Sequence, residues 1–141
     1  MKPLAVLDSS IVVSGVGWDG EARRILSLLA KRAFTSCATA AVAQEWAESV
    51  TMTAALQKWR NQNWCNWLRW LTDVSIFVEA APLQRTVKRD PKDDPVLAAA
   101  LGARAAFLVS YDRDLLDLEK PFGIQCVHPR AFLIALVSAK P

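Results

Sequence analysis

Two aspartates each follow a short apolar run that is typical of a buried strand. Asp8 comes directly after "LAVL", and Asp112 follows "FLVS" with only Tyr111 between them. In a parallel α/β sheet, ligands bind at the carboxyl ends of the strands, so two acids at two such ends can meet in one crevice. The spacing therefore predicts an acidic site that contains Asp8 and Asp112.

Two further acids are candidates for the same edge of the sheet. Asp94 stands at the start of the predicted helix that leads into the second strand, and that start lies near the edge where strands finish. Glu45 lies within the helix that follows "FTSCA", and spacing alone leaves its approach to this edge open. Taken singly, each acid is equally suited to a helix cap or a turn.

Several carboxylates in one pocket repel each other, and without a counter-charge some of them would have to take up protons. A divalent cation removes that repulsion. Ligands that are all oxygen, with no cysteine and no positioned histidine, favour Mg²⁺ or Mn²⁺ over zinc. Such ions activate water and stabilise the charge that develops during phosphodiester hydrolysis.

The elements that must position these acids alternate between strands and helices. Alternation of this kind indicates βαβ units, so we expect an α/β fold: a three-layer α/β/α sandwich with a central, mostly parallel sheet in one domain spanning residues 1–141. The predicted strands lie near 4–8, 34–38, 74–79, 106–110 and 123–127, the third of them a candidate edge strand. Two predicted helices lie near 21–32 and 54–71. Three others are predicted by their starts: one is capped by Thr39, one begins at Asp93 or Asp94, and one follows residue 128.

The composition excludes several classes of protein. Hydrophobic residues make up 52% of the 141 residues and charged residues 22%, which excludes a disordered chain. No apolar run approaches the roughly 20 residues that cross a bilayer, and Asp8 interrupts the first apolar stretch before it could form a signal peptide. The three cysteines are widely spaced without a CxxC pair, which argues against disulfides and a thiolate zinc site. We therefore expect a reduced, cytoplasmic protein without a membrane partner.

The net charge of +3 is mild, and its distribution is more informative than its size. Acidic residues gather at 89–94 and 112–119, while basic residues are spread along the rest of the chain. A generally basic surface around local acidic clusters suits a polyanion that is brought to a cation held by carboxylates.

Two segments resemble the signatures of the PIN domain family. "VLDSSIVVSG" at 6–15 is similar to the family's opening motif, an Asp at the end of the first strand followed by small polar residues and an apolar run. "RDPKDDPVLAAALGARAAFLVSYDRDLLDL" at 89–118 is similar to the second signature, a helix and a strand followed by Ser/Thr-x-Asp-x-Asp-Leu. "GIQCVHPRAFLIAL" resembles the close of the branch that contains the toxins of toxin–antitoxin pairs. Residues 51–88 match only in their helical character.

The resemblance implies a catalytic set of Asp8, Glu45, Asp94 and Asp112. Of these, Asp8, Asp94 and Asp112 are the implied metal ligands. Asp94 is preferred over Asp93 and Asp90 by its spacing to "SYD", and Asp93 remains an additional candidate. Glu45 is preferred over Glu48 because it follows "TAAVAQ" as the family's glutamate follows its capped first turn.

The resemblance also implies supporting roles for smaller polar residues. Ser10 stands where the family often has Asn or Ser beside the first aspartate, and Ser110 matches a Ser/Thr that supports the site. Asp114 is a further candidate ligand, although the start of "DLLDL" also suits a cap. His128, the single histidine, is interpreted as a cap or turn residue and not as a catalytic base.

Six tryptophans call for a second interpretation. Trp64, Trp67, Leu68 and Leu71 fall on one predicted helical face, and Trp59 and Trp70 lie beside it. Tryptophan next to arginine can stack on bases, but helical spacing favours packing, because large aromatic side chains rarely all stay in water. We therefore expect this face to serve in packing and in a homodimer interface.

Together these features predict a Mg²⁺- or Mn²⁺-dependent endoribonuclease. The resemblance implies that it is the toxin of a type II pair, with RNA as substrate, a cognate antitoxin as partner and a homodimer as the assembly. One alternative is a PIN fold that binds RNA or protein without cleaving it. Another is a phosphoacceptor receiver module, but that class needs an acidic pair at the first strand, where Asp8 is followed by Ser9 and Ser10, and a lysine that "GIQCVHP" lacks.

Overall fold

The computed structural model describes residues 2–83, 94–118 and 120–138, and for Asp94 only the backbone. The strands in this part of the chain are β1 (Leu4–Leu7), β2 (Thr35–Ala38), β3 (Ile76–Phe77), β4 (Phe107–Val109) and β5 (Gln125–Val127). The helices are α1 (Ser9–Gly17), α2 (Glu21–Ala30), α3 (Ala40–Leu56), α4 (Asn63–Val74), α5 (Asp94–Ala103), α6 (Arg113–Leu116) and α7 (Pro129–Ser138). A short 3-10 turn at Pro121–Gly123 precedes β5.

The five strands form one parallel sheet in the order β3-β2-β1-β4-β5. The chain steps outward from β1 to β2 and β3 and then returns past β1 to β4 and β5. Right-handed crossovers in two opposite directions place their helices on opposite faces of the sheet. The predicted three-layer α/β/α sandwich with a parallel sheet is confirmed.

The direction of winding reverses between β1 and β4, which are neighbours in register: Leu7 pairs with Val109. A reversal of this kind opens a crevice at the carboxyl ends of the two strands, because their connecting chains leave in opposite directions. β1 and β4 are the strands after which Asp8 and Asp112 were predicted to lie. Their adjacency in the sheet is what brings the two acids together.

The core is a continuous apolar cluster between the sheet and its helices. Trp46, Phe34 and Phe132 are the largest fully buried side chains, and Phe132 contacts the rings of Phe34 and Phe107 at near-perpendicular angles. Helix α5 packs across β1, β2 and β4, and α7 packs on β4, β5 and α2. None of the helices in the described ranges is both long and apolar enough to cross a bilayer.

Helix α1 was not predicted, since residues 9–17 were interpreted as an apolar run leading to α2. Three consecutive β-branched residues, Ile11, Val12 and Val13, favour strands locally. In the structure Ile11 and Val12 are fully buried, and α1 packs against both α2 and α3. A helix buried on several sides loses the amphipathic pattern that would reveal it, so tertiary packing overrides local propensity here.

The predicted helix at 54–71 is in fact the end of α3 and, after a break, α4. Helix α3 ends because Lys58 adopts a left-handed conformation (φ 54°), and the Trp59 N–H then reaches the Ala54 carbonyl oxygen at 3.0 Å. This C-terminal hydrogen-bond pattern is usually formed with glycine at the left-handed position. Arg32 and Arg104 end α2 and α5 in the same way, and their positive charges are favourable at helix C-termini. The sequence lacks the glycine signal, so the break was missed.

Candidate active site

The site begins at the end of β1, where Asp8 is the first residue beyond the strand. Its backbone N–H donates to the Val109 carbonyl oxygen at 3.0 Å, which continues the β1–β4 pairing up to the aspartate. Asp8 also precedes α1, but its side chain makes no capping hydrogen bond with that helix. The carboxylate is therefore available for contacts across the crevice.

Two serine hydroxyls orient this carboxylate. Ser110 Oγ donates to Asp8 Oδ2 at 2.7 Å, and Ser10 Oγ donates to the same oxygen at 3.0 Å. The two hydroxyl oxygens in turn accept backbone hydrogen bonds, Ser110 Oγ from the Asp112 N–H at 2.9 Å and Ser10 Oγ from the Tyr111 N–H at 3.1 Å. Among the described residues, Asp8 Oδ1 accepts no hydrogen bond, so this second oxygen remains available to a ligand.

Asp112 is held at the other side of the crevice by the start of α6. It is the N-cap of that helix, and its Oδ1 accepts the Asp114 N–H at 2.9 Å. Asp114 itself is exposed in the first turn and does not line the cleft. The cap therefore fixes the orientation of the Asp112 carboxylate, while its other oxygen receives no hydrogen bond from a described residue.

Glu45 reaches the same cleft from α3. The next residue along the helix, Trp46, is fully buried and donates its indole N–H to the Leu7 carbonyl oxygen at 2.8 Å. That hydrogen bond attaches α3 to the end of β1, directly before Asp8. Burial, and then the negative charges of Asp8 and Glu48, raise the pKa of the Glu45 carboxyl above its usual value.

The cleft between these groups has a volume of about 710 Å³ and opens to solvent. Its lining residues are Asp8, Ser9, Ser10, Val13, Ser14, Glu45, Ser49, Tyr111 and Asp112. None of them is basic, and no described lysine or arginine forms an ion pair with the three acids. Within the described part of the chain, the pocket thus holds carboxylates and hydroxyls without a compensating positive charge. Such a set of oxygen ligands suits a hard cation.

The described residues contain no group of three acidic, cysteine or histidine side chains close enough to hold a metal ion by themselves. Mg²⁺ can be bound through as few as one or two carboxylates, with water completing its octahedron. Asp8 and Asp112, which both have an oxygen free of protein donors, fit that requirement. Asp94 begins α5 as predicted, but its side chain and the whole of Asp93 lie outside the described residues.

Three residues at or next to the cleft were not predicted from the sequence to contribute to the site. Tyr111 lines the cleft between Ser110 and Asp112, and its position inside the second signature was the available signal. Trp46 lies on α3 directly after Glu45 and attaches that helix to the end of β1. His128 packs its ring perpendicular to that of Tyr111 with centroids 5.2 Å apart, while its Nδ1 accepts the Arg130 N–H at 3.1 Å at the start of α7.

Comparison with known proteins places this geometry in a wider context. The family model for the PIN domain matches residues 5–114, which include Asp8, Glu45 and Asp112. The crystal structure of PAE2754 from Pyrobaculum aerophilum is similar to this chain with a TM-score of 0.65 and 17% sequence identity, over 98% of this chain and 98% of that chain. At that identity the likeness shows the fold alone. No curated protein matches the sequence significantly.

Proposed function

Because the chain belongs to the PIN domain family, a nuclease-type fold, we propose that its acidic cleft is the active site of a ribonuclease that requires Mg²⁺ or Mn²⁺. The observation that carries the proposal is the meeting of Asp8, Glu45 and Asp112 in one cleft without a basic partner. Burial, and then the charge of Asp8, raise the pKa of Glu45, and a divalent cation would relieve the repulsion between the carboxylates. The family membership also disfavours the receiver alternative.

In this proposal Asp8, Asp112 and Asp94 hold the cation. When bound, the cation supplies an activated water and neutralises the charge that builds on the scissile phosphate. Ser10 and Ser110 keep Asp8 Oδ2 occupied, so that Oδ1 is presented in a fixed direction. Preorganised ligands of this kind cost no reorganisation during the reaction.

Glu45 is proposed as the fourth catalytic carboxylate. Glu45 lies on α3, which is attached to the end of β1 through the Trp46 indole. It therefore lines a side of the cleft that the ends of β1 and β4 do not form. From there it can accept a hydrogen bond from the attacking water and orient it toward the phosphorus. Water adds to phosphorus and the bond to the leaving ribose oxygen breaks. The proton of the water passes to Glu45 and from there to solvent, and the leaving oxygen takes up a proton from solvent.

We further propose that the nuclease is the toxin of a type II pair, that it acts in the cytoplasm as a homodimer and that a cognate antitoxin binds it. The support is the resemblance of the closing segment to that branch of the family and the cluster of half-buried tryptophans on and before α4. Co-expression of the chain with and without its neighbouring gene product, with growth as the readout, tests this part separately from catalysis.

The direct test is cleavage of RNA by the purified protein with and without Mn²⁺. Asp8→Asn and Asp112→Asn should each abolish nearly all cleavage, while Asp73→Asn, an exposed acid on α4, should leave it unchanged. Asp94→Asn should match the first two, and Asp93→Asn should be much milder. RNA binding without cleavage by the wild type would favour the non-catalytic PIN alternative, and an essential Asp93 with a dispensable Asp94 would correct the ligand assignment.

A further inference from the structure

Among the residues that the structure describes, the lining of the acidic cleft offers no positive charge to a nucleic acid strand. Its lining has three carboxylates and no lysine or arginine, so without a cation it repels phosphates. Contacts that hold the RNA must therefore come from the border of the cleft. We call the residues Tyr111, His128 and Arg130 the rim, because they follow β4 and β5 at the same edge of the sheet as the acids.

Tyr111 is the aromatic residue among those that line the cleft. Its backbone is fixed at the site, since its N–H donates to Ser10 Oγ beside Asp8 and the next residue is Asp112. Tyr111 is 37% exposed. Part of an aromatic ring is thus open to solvent next to the place where a scissile phosphate would lie.

The ring of Tyr111 packs against a second aromatic ring. His128 packs perpendicular to it with ring centroids 5.2 Å apart, and His128 is itself fixed as the cap of α7. Perpendicular aromatic pairs of this kind are favourable beyond the area they bury. A ring that is fixed before binding loses little entropy when a base stacks on it.

Arg130, two residues after His128, supplies the positive charge of the rim. Its side chain is 78% exposed, and its Nε donates to Glu21 Oε2 at 3.3 Å. The contact restrains the guanidinium through one of its five N–H donors. The other N–H groups of the guanidinium donate to no described residue, so they remain available for a phosphate.

We propose that the rim binds the nucleotide next to the scissile phosphate, with its base stacked on Tyr111 and its phosphate on Arg130. The proposal rests on the proposed function and adds the residues that position its substrate. A base can stack on Tyr111 only if it is unpaired and turned out of a helix. The rim should therefore favour single-stranded RNA and make Tyr111 and Arg130 positioning residues for cleavage.

The test compares Tyr111→Ala, Tyr111→Leu and Tyr111→Phe in single-turnover and steady-state cleavage of an unpaired oligonucleotide. Loss of base stacking should raise KM roughly tenfold or more in the Ala and Leu variants, with kcat changed much less, while Phe should behave like the wild type. Arg130→Gln should weaken binding and reduce the salt dependence by about one counterion. Arg69→Gln, an exposed arginine on α4, is the control. Circular dichroism confirms that each variant is folded.

Binding is measured in parallel in the Asp8→Asn background, with an oligonucleotide that carries a fluorescent base, because stacking on Tyr111 quenches the base and a merely structural role would not. Quenching by the Asp8→Asn protein that disappears when Tyr111→Ala is added supports the rim even if the wild type cleaves nothing, in which case only the proposed nuclease function fails. Active enzyme whose KM is unchanged in Tyr111→Ala and Arg130→Gln overturns the rim and leaves the nuclease intact. A Phe variant as impaired as Ala also overturns it, because the hydroxyl and not the ring would then matter.

Discussion

Ser110 and Asp8 are 102 residues apart in sequence, yet Ser110 Oγ donates a 2.7 Å hydrogen bond to Asp8 Oδ2. Ser110 is fully buried at the end of β4, and Asp8 follows β1. The same hydroxyl oxygen accepts the Asp112 N–H. One buried hydroxyl therefore connects both aspartates of the cleft and fixes their relative position.

Removal of that hydroxyl should affect stability and cleavage together. Ser110→Ala leaves the Asp112 N–H without its acceptor and Asp8 Oδ2 with one donor fewer, at a cost of about 1–3 kcal/mol in the free energy of unfolding. Urea denaturation measures the free energy of unfolding. The rate of RNA cleavage reports whether the two carboxylates are still correctly positioned. Ser110→Thr keeps the hydroxyl and should recover most of the activity. Equal stability and activity in Ser110→Ala and the wild type would contradict this role.

Divalent cations should stabilise the folded protein. A ligand that binds only the native state raises stability by mass action, by about 2.7 kcal/mol at a hundredfold excess over its Kd, so millimolar Mn²⁺ should raise the melting temperature by several degrees. Asp8→Asn should blunt that rise, and relief of repulsion should raise its melting temperature without metal. Differential scanning fluorimetry provides the readout, with Asp73→Asn as the control. A wild-type melting curve that does not respond to Mn²⁺ counts strongly against a metal site.

Because the pKa of Glu45 is raised, we expect its effect on the stability of the fold to depend on pH. Because the folded protein binds this proton more tightly than the unfolded chain, the ionised carboxyl destabilises the metal-free fold at neutral pH, and the penalty is lost as the pH falls through the raised pKa toward the ordinary glutamate value. Glu45→Gln should thus be more stable than the wild type at about pH 7 and equal to it at about pH 4. Glu48→Gln removes only the smaller charge contribution and should show a weaker effect. Chemical denaturation without metal at both pH values decides the matter.

The indole of Trp46 should matter for position as well as for packing. Trp46→Phe removes the donor to the Leu7 carbonyl and part of a fully buried side chain, so it should cost about 1–3 kcal/mol of stability. Cleavage should fall as well, because α3 carries Glu45. Trp64→Phe is the matched control, since Trp64 is half-buried and its indole N–H donates to no described residue. An equal loss in both variants would show that ring size alone matters.

The expected homodimer can be tested on the tryptophans near α4. Trp59 lies against Gly17, where it leaves no room for a Cβ, and packs on Trp18, whereas Trp70 packs on Trp67. Trp59→Ala and Trp70→Ala together should shift the protein toward monomer, since an interface aromatic that is a hot spot costs 2 kcal/mol or more of binding. Trp70→Ala alone is the cleaner variant, because it spares the contact with Gly17. Sedimentation velocity gives the oligomeric state, and an unchanged oligomer with weaker RNA binding would favour base stacking instead.

The sequence by itself determined the strands and the acids that follow them. Short apolar runs ending at Asp8 and before Asp112 mark buried parallel strands, because both faces of such strands are covered by helices. Thr39 was predicted to cap α3 and does so, accepting the Val42 N–H at 3.2 Å. These signals are local. A cap depends on a side chain and the backbone a few residues away, and a buried strand depends on a short run of apolar residues.

Only the tertiary structure decided which of these elements meet. That β1 lies between β2 and β4 follows from the winding of the whole sheet, and the Ser110 hydrogen bond to Asp8 follows from that order. Helix α1 was hidden because burial against α2 and α3 removes the polar face that reveals a helix in a sequence. The Trp46 bond to Leu7 and the contact of Tyr111 with His128 join residues that no spacing rule relates, so packing alone gave Glu45 and the rim their places around the cleft.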